Sequence, residues 1–168
     1  MSTFSDLEFT EVNVSPVLAA QIPAESGPDP ASISGAMGSA FGALMGFMQK
    51  NALIPTAPPR AIYTSYSPEG TKFIVAMPIA NPSSPIKGDP GFVDTLSGGK
   101  ALRFTHHGPY PDLMKTYERI TQFLLEKGFM KSEADWAKFM PMWEEYLNDP
   151  TTTPEAELAT FIYLPIAR

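Results

Sequence analysis

The sequence predicts an α+β chain made of two similar halves. They share one mostly antiparallel sheet, with a main helix from each half on one side and a ligand cleft where the halves meet. Three observations carry this expectation. Proline is abundant, at 18 of 168 residues, and falls mostly between apolar runs. Because it lacks an N–H and fixes φ, it punctuates elements, leaving short strands and two longer helical stretches. The order strand–strand–helix–strand–strand can be read twice, over 7–80 and again over 92–168. The halves also echo each other residue by residue. Phe73-Ile-Val-Ala-Met-Pro-Ile-Ala80 resembles Phe161-Ile-Tyr-Leu-Pro-Ile-Ala167 apart from one residue of slippage. Pro58-Pro-Arg-Ala-Ile-Tyr63 aligns with Pro141-Met-Trp-Glu-Glu-Tyr146. One domain over 1–168 is expected, since this length supports a proper core.

Leu7 to Asn13 alternates apolar and polar residues and reads as a strand, followed by the Ser15-Pro16 turn and a second strand from Val17 to Ile22. Ala24 to Pro30 is too rich in breakers for regular structure. Ser32 to Lys50 is the first helix, capped by Ser32 or Ser34. It carries no charge between Ala31 and Gln49. That length approaches a membrane span, but its glycines, serines and alanines favour a buried helix. Gly38, Gly42 and Gly46 line one face, which implies close packing on the sheet in preference to ligand contact. Arg60–Tyr66 and Thr71–Ile79 form a hairpin around Ser67–Gly70. Ala80–Gly91 is a linker. Phe92–Leu96 and Lys100–His107 are strands. Gly108-Pro-Tyr-Pro-Asp112 opens the second helix, with Pro and Asp suited to its first turn. Leu113, Tyr117, Ile120 and Leu124 recur at helical spacing, and Gly128 ends the run. Ser132–Asp135 resembles a capping box that opens a short helix through Phe139. Glu157 to Ile166 is the last strand.

The charge balance of 12 basic against 18 acidic residues, net −6, argues against nucleic-acid binding. The absence of cysteine excludes disulfides, thiolate metal sites and Cys nucleophiles. Met1–Asp6 has neither a basic nor an apolar leader region, so a cytoplasmic location is expected, with no membrane partner. His106 and His107 are the only histidines and point to opposite faces of a strand. No metal site and no cofactor are expected. No hydrolase elbow, P-loop or dinucleotide fingerprint is present.

The most informative stretch is Pro141-Met-Trp-Glu-Glu-Tyr-Leu-Asn-Asp-Pro150. Strand alternation puts Met142, Glu144 and Tyr146 on one face and Trp143, Glu145 and Leu147 on the other. One glutamate is therefore expected to face an enclosed space and the other to meet water. In the internal alignment Tyr63 matches Tyr146 and Ala61 matches Glu144, so the acid belongs to one half only. That asymmetry favours Glu144 as the enclosed acid and Glu145 as a surface or rim charge.

Gly108-Pro-Tyr110 before a helix, then Pro-x-x-Glu-x-Tyr-Leu-Asn-Asp-Pro (141–150), then a closing strand ending Leu164-Pro-Ile166, resembles the GyrI-like small-molecule-binding domain. That domain is also the effector-binding half of multidrug-responsive and AraC-type bacterial transcription activators. The resemblance implies a duplicated βαββ-type fold with pseudo-twofold symmetry and a hydrophobic groove for lipophilic, often cationic, compounds. It also implies that Glu144 is the pocket acid, with Tyr110 and Tyr63 among its aromatic residues. No helix-turn-helix precedes the first strand in this sequence, so direct DNA binding is not expected.

The leading expectation is thus a module that senses or sequesters small lipophilic, cationic or aromatic compounds. Glu144 would supply the counter-charge, and Tyr146, Tyr110 and Tyr63 cation–π attraction of about 0.5–2 kcal/mol each. Tyr66, Phe104 and Trp143 are further candidates for the wall. The first alternative is a hydrolase of electrophilic small molecules in which Glu144 is the catalytic general base. The second is a protein-interaction module such as a gyrase modulator; haem binding is the weakest, since neither histidine lies in a pocket motif. The expected partner is a small molecule, with a protein partner as a further option and a monomer or homodimer as the assembly.

Overall fold

The computed structural model describes residues 7–83, 85–86 and 91–166. The strands are β1 (Glu8–Val14), β2 (Val17–Ser26), β3 (Arg60–Ser67), β4 (Gly70–Pro78), β5 (Phe92–Leu96), β6 (Gly99–His107), β7 (Met142–Tyr146) and β8 (Ala159–Pro165). The helices are α1 (Pro30–Lys50) and α2 (Leu113–Glu126); short 3-10 turns lie at Tyr110–Asp112, Glu133–Phe139 and Glu155–Glu157.

All eight strands form one antiparallel sheet in the order β1-β6-β8-β7-β3-β4-β2-β5. Exchanging each strand of the first half with its counterpart in the second reproduces this order read backwards, so the topology is pseudo-twofold about the β3/β7 pair. Each half lends its first strand to the other: β1 pairs with β6, and β5 with β2. The axis has a residue address. Ala61 and Glu144, equivalent in the internal repeat, are also direct cross-strand partners.

The sheet is strongly curled, and its connections show why. Only Ser15 and Pro16 join β1, at one edge, to β2, beside the other edge; only Ser97 and Gly98 join β5 to β6. In a flat sheet these strands would stand about 29 Å apart, six spacings of ~4.8 Å. Two intervening residues reach only about 11 Å. The edges therefore meet at this end. A Cβ built on Gly98 would lie 2.1 Å from the Val14 carbonyl oxygen, so the two turns are in backbone contact.

The curl gives the sheet two unlike faces. Helices cover the convex face, over two cores. Under α2 lie Leu102, Phe104, Ile120, Phe123, Leu124, Ile162 and Leu164. Under α1 lie Ala20, Ile22, Leu44, Phe47, Phe73, Val75 and Met77. Tyr63 packs against both, at the seam between them. On the concave face Ile62, Trp143 and Tyr163 close over Ala19, Ala76 and Ala101, with Val14 and Leu96 joining from the two edges. These residues are buried without a helix above them, because the curl brings the strands' own side chains together.

Several local expectations are corrected. β2 continues through Ala24, Glu25 and Ser26, expected to be loop, because they pair with Phe73, Lys72 and Thr71 of β4; ladder bonds outweigh local breakers. The α1 cap is Asp29, not Ser32 or Ser34. Its carboxylate accepts the Ser32 N–H at 3.0 Å and the Ser32 hydroxyl at 2.7 Å, with Pro30 at the first helical position. Ser132 makes no side-chain cap bond; Asp135 reaches back to the Lys131 N–H at 2.7 Å instead. Glu157 ends a 3-10 turn, and the last strand starts at Ala159, whose N–H is held by Asn148 Oδ1 at 2.6 Å.

The glycine stripe is the largest departure. Helix α1 buries Ala40, Leu44, Phe47 and Met48 against β2 and β4, while Gly38, Gly42 and Gly46 are exposed and a Cβ on any of them would meet nothing within 4 Å. The helix is thus buried on one side only, and the glycines do not serve close packing. By length and composition α1 could cross a membrane. The expectations for Met1–Asp6 and the middle of the 80–91 linker lie outside the described residues.

Candidate functional site

Glu144 projects from β7 onto the convex face, at the pseudo-twofold axis and at the seam between the cores. Its partner across the axis, Ala61, has no side chain beyond Cβ, which leaves room for it; a second glutamate there would place two like charges directly opposite. Glu144 is 4% exposed. Burying a charge is expensive without partners, and the partners here are tyrosines. Tyr117 of α2 donates its hydroxyl to Oε2 at 2.5 Å, and Tyr146 donates to Oε1 at 2.6 Å. Tyr63 lies near enough to interact with both the carboxylate and Tyr146.

Burial pushes the Glu144 carboxyl upward from its ordinary 4.5, while the hydroxyls of Tyr117, Tyr146 and Tyr63 and the charge of His106 pull it back. The tyrosines respond in kind. Burial, and then the Glu144 charge, hold Tyr63, Tyr117 and Tyr146 well above the usual phenol value of 10. They are neutral donors at any physiological pH. Among the described residues no Lys or Arg pairs with Glu144.

Aromatic rings enclose the acid. Tyr110 and Phe41 meet Tyr146 edge-on, at centroid distances of 5.5 and 6.0 Å, so Tyr146 stands between the start of α2 and the middle of α1. Trp136 backs Tyr117 at 5.9 Å. His106, 3% exposed, donates from Nε2 to the Pro109 carbonyl at 3.1 Å and shares a 2.6 Å bond between Nδ1 and the Thr116 hydroxyl. It thereby ties β6 to the first turn of α2 and to the segment that carries Tyr110.

The structure brings Glu144, Tyr146, Tyr110 and Tyr63 of the predicted set together. It does not bring the other three to them. Trp143 lies on the concave face, as alternation requires. Phe104 is fully buried in the core under α2. Tyr66 is 61% exposed at the end of β3, its hydroxyl 3.5 Å from the Pro28 carbonyl. Glu145, expected as a surface or rim charge, is not a free surface charge: its side chain is 13% exposed and ion-paired with Arg60 on the concave face. Tyr117, His106 and Phe41 were missed. Tyr117 had been assigned only to the apolar stripe of α2, but a tyrosine in such a stripe carries a hydroxyl that needs a buried partner. Surface hollows of 350 and 430 Å³ lie away from Glu144, one at Glu25, Thr64 and Lys72, the other at His107, Lys115 and Glu118.

Comparison with known proteins bears on the family and the fold. A family model described as a GyrI-like small molecule binding domain matches residues 24–167. No curated protein matches the chain. Among solved structures, the crystal structure of the EcmrR C-terminal domain is similar at a TM-score of 0.73 and 15% identity, covering 96% of this chain and 98% of that one. In the EcmrR–DNA complex the chain spans 57% of the EcmrR chain and 95% of its own length, at a TM-score of 0.72 and 16% identity. SAV2435 bound to tetraphenylphosphonium gives a TM-score of 0.65 at 14% identity, covering 95% of this chain and 94% of that one. A hydrolase from Listeria innocua gives 0.58 at 13% identity, covering 95% and 92%. At these identities the structural likeness is one of fold.

Proposed function

The chain belongs to the GyrI-like small-molecule-binding family, and from that premise we propose that it binds a small lipophilic cation at the seam between α1 and α2, with Glu144 as counter-charge. The observation that carries this reading is a carboxylate 4% exposed whose hydrogen-bond partners are neutral hydroxyls. Such a group satisfies its lone pairs but has no Lys or Arg paired to it among the described residues, His106 acting on it without an ion pair, and a desolvated cation supplies what is missing. Tyr63, Tyr110, Tyr117, Tyr146 and Phe41 offer the rings that attract a cation face-on. SAV2435, similar in fold, is bound to a lipophilic cation.

Tetraphenylphosphonium is the probe. It is expected to raise the melting temperature of the wild-type chain and of Glu145→Gln, and to leave Glu144→Gln unshifted. Losing one partner of a buried charge pair weakens binding by about 2–5 kcal/mol. Affinity is also expected to fall as pH drops through the raised Glu144 pKa, because the proton removes the counter-charge. A shift lost in Glu145→Gln but kept in Glu144→Gln would overturn the reading.

A second reading, a hydrolase with Glu144 as general base, is favoured by the upward push of burial on its pKa, toward the range a base needs at neutral pH. It requires turnover of an electrophilic ligand that Glu144→Gln abolishes while binding persists.

A further inference from the structure

The concave face carries a second cluster whose chemistry is the reverse of the first. Arg60 lies beside Glu145, Nε to Oε2 at 3.5 Å, both side chains nearly buried. The Arg60 guanidinium also sits over the Trp143 ring at 5.5 Å. Trp143 stacks on Tyr163 at 4.9 Å with ring planes 15° apart. Tyr163 meets Phe161 edge-on, and the Arg103 guanidinium lies over Phe161 at 4.2 Å. The Tyr163 hydroxyl is 3.5 Å from Glu145 Oε1 and interacts with Arg103 as well. Cross-strand pairing makes these six residues contiguous: Arg60 with Glu145, Glu145 with Phe161, Trp143 with Tyr163, and Tyr163 with Arg103.

Two features of this cluster exceed what its own packing needs. Two guanidiniums face one carboxylate, leaving an excess of one positive charge. Three buried donors also lack an acceptor: Arg60 Nε, Arg103 Nε and Trp143 Nε1. Arg60 and Trp143 are each 8% exposed. The 3.5 Å approach of Arg60 to Glu145 is an ion pair without an aligned hydrogen bond. A buried donor without a partner bears most of its desolvation penalty. A structural ion pair gains nothing from a second arginine and an unused indole N–H. Both guanidiniums have a face against a ring and an Nε–H without an acceptor on the edge, and the guanidinium edge is the fork that matches a carboxylate. Phe161, Glu145 and Arg103 are only partly buried, so one side of the cluster reaches solvent.

We propose that this cluster is a second binding site, for a small aromatic carboxylate, in which Arg60, Arg103 and Trp143 Nε1 hold the oxyanion and the stacked Trp143–Tyr163 pair supports the ring. Glu145 occupies part of the positive field and competes with the ligand. The site is separated from Glu144 by the thickness of the sheet, and it does not depend on the cation reading of that residue.

Isothermal titration of benzoate into the full chain tests it, with inorganic phosphate as a non-aromatic control. Benzoate is expected to bind the wild-type chain, at least tenfold more weakly to Arg103→Gln, and several-fold more tightly to Glu145→Gln, where the competing charge is gone. Tetraphenylphosphonium binding is expected to be the same in both variants. The Glu145→Gln arm keeps the test decisive if Arg103→Gln folds poorly, because a merely structural role for Glu145 predicts no gain in anion affinity. Absence of benzoate binding to Glu145→Gln, equal binding to folded Arg103→Gln, or loss of binding in Glu144→Gln overturns the site. Phosphate binding as tight as benzoate overturns the aromatic class.

Discussion

Glu144 and Glu145 are neighbours in the chain and answer the cost of burial in opposite ways. Glu144, on the convex face, is held by the hydroxyls of Tyr117 and Tyr146, with Tyr63 and His106 acting on it and no Lys or Arg paired to it among the described residues. Glu145, on the concave face, is held by Arg60, with Tyr163 and Arg103 nearby. Burial raises both carboxyls. Hydroxyls satisfy lone pairs and leave a charge for something else to neutralise; a guanidinium neutralises it within the fold. The same residue type is thus held by hydroxyls on one face and closed in an ion pair on the other. What a buried acid does is set by its partners, not by its burial.

The sharpest test of this contrast is Glu145→Ala. It leaves Arg60 buried without its partner and is expected to destabilise the fold by about 3 kcal/mol, the lower part of the range for broken buried pairs because some water reaches the pair. Denaturant unfolding measures it. Replacing both residues, Arg60→Met with Glu145→Leu, is expected to recover most of that loss. If Glu145→Ala is neutral, the concave face is more hydrated than its exposures suggest.

Tyr146→Phe deletes one donor to Glu144 and is expected to cost about 1.5–3 kcal/mol, the range for hydrogen bonds to charged groups. It should also push the Glu144 carboxyl further up. Gly98→Ala acts on the curl: the added Cβ meets backbone at Val14 and Pro16, which cannot move aside cheaply. A loss of about 1–3 kcal/mol is expected. A loosened curl should change the surroundings of Trp143 before those of Glu144, which tryptophan fluorescence can follow.

The pH dependence has a definite sign. The native state holds the Glu144 proton to higher pH than the unfolded chain does. Its contribution to stability is therefore fully present below about pH 4.5 and is lost as pH rises through the folded pKa. Glu144→Gln escapes that loss, so its melting temperature is expected to exceed the wild type's at pH 7, with the gap narrowing as pH falls toward 4.5. The smallest effect is on α1. Gly42→Ala is expected to stabilise the fold by about 0.5–1 kcal/mol, since the new methyl meets nothing and helix propensity improves.

Much of the fold was legible because it rests on local signals. The strands at Arg60–Tyr66, Phe92–Leu96 and Lys100–His107, and the α2 stripe, follow from periods that a few residues define. The duplication was legible because Pro58–Tyr63 and Pro141–Tyr146 share a Pro and a Tyr at the same spacing, and Phe73–Ala80 and Phe161–Ala167 keep similar residues in the same order. The misread elements depended on distant partners. Ala24–Ser26 looked like loop until β4 paired with it, and the α1 glycines looked like a packing face until the opposite face proved to be the buried one. The candidate site divides the same way. Glu144, Tyr146, Tyr63 and Tyr110 could be named from the motif and the repeat. Tyr117 is 27 residues from Glu144, and no local pattern aims its hydroxyl there.

By itself the sequence determined that Glu144 and Tyr146 share a face and that Glu145 cannot, because the two-residue period of a strand is a property of the local backbone. Tertiary structure decided what each face meets. The two short links between the sheet edges force the curl, and the curl buries a helix-free face that would otherwise be open to water. That is why Glu145 is an ion-paired, partly buried residue and not a freely solvated charge. The convergence of β3, β7 and α2 at the axis is likewise what surrounds Glu144 with hydroxyls and with no Lys or Arg ion pair among the described residues.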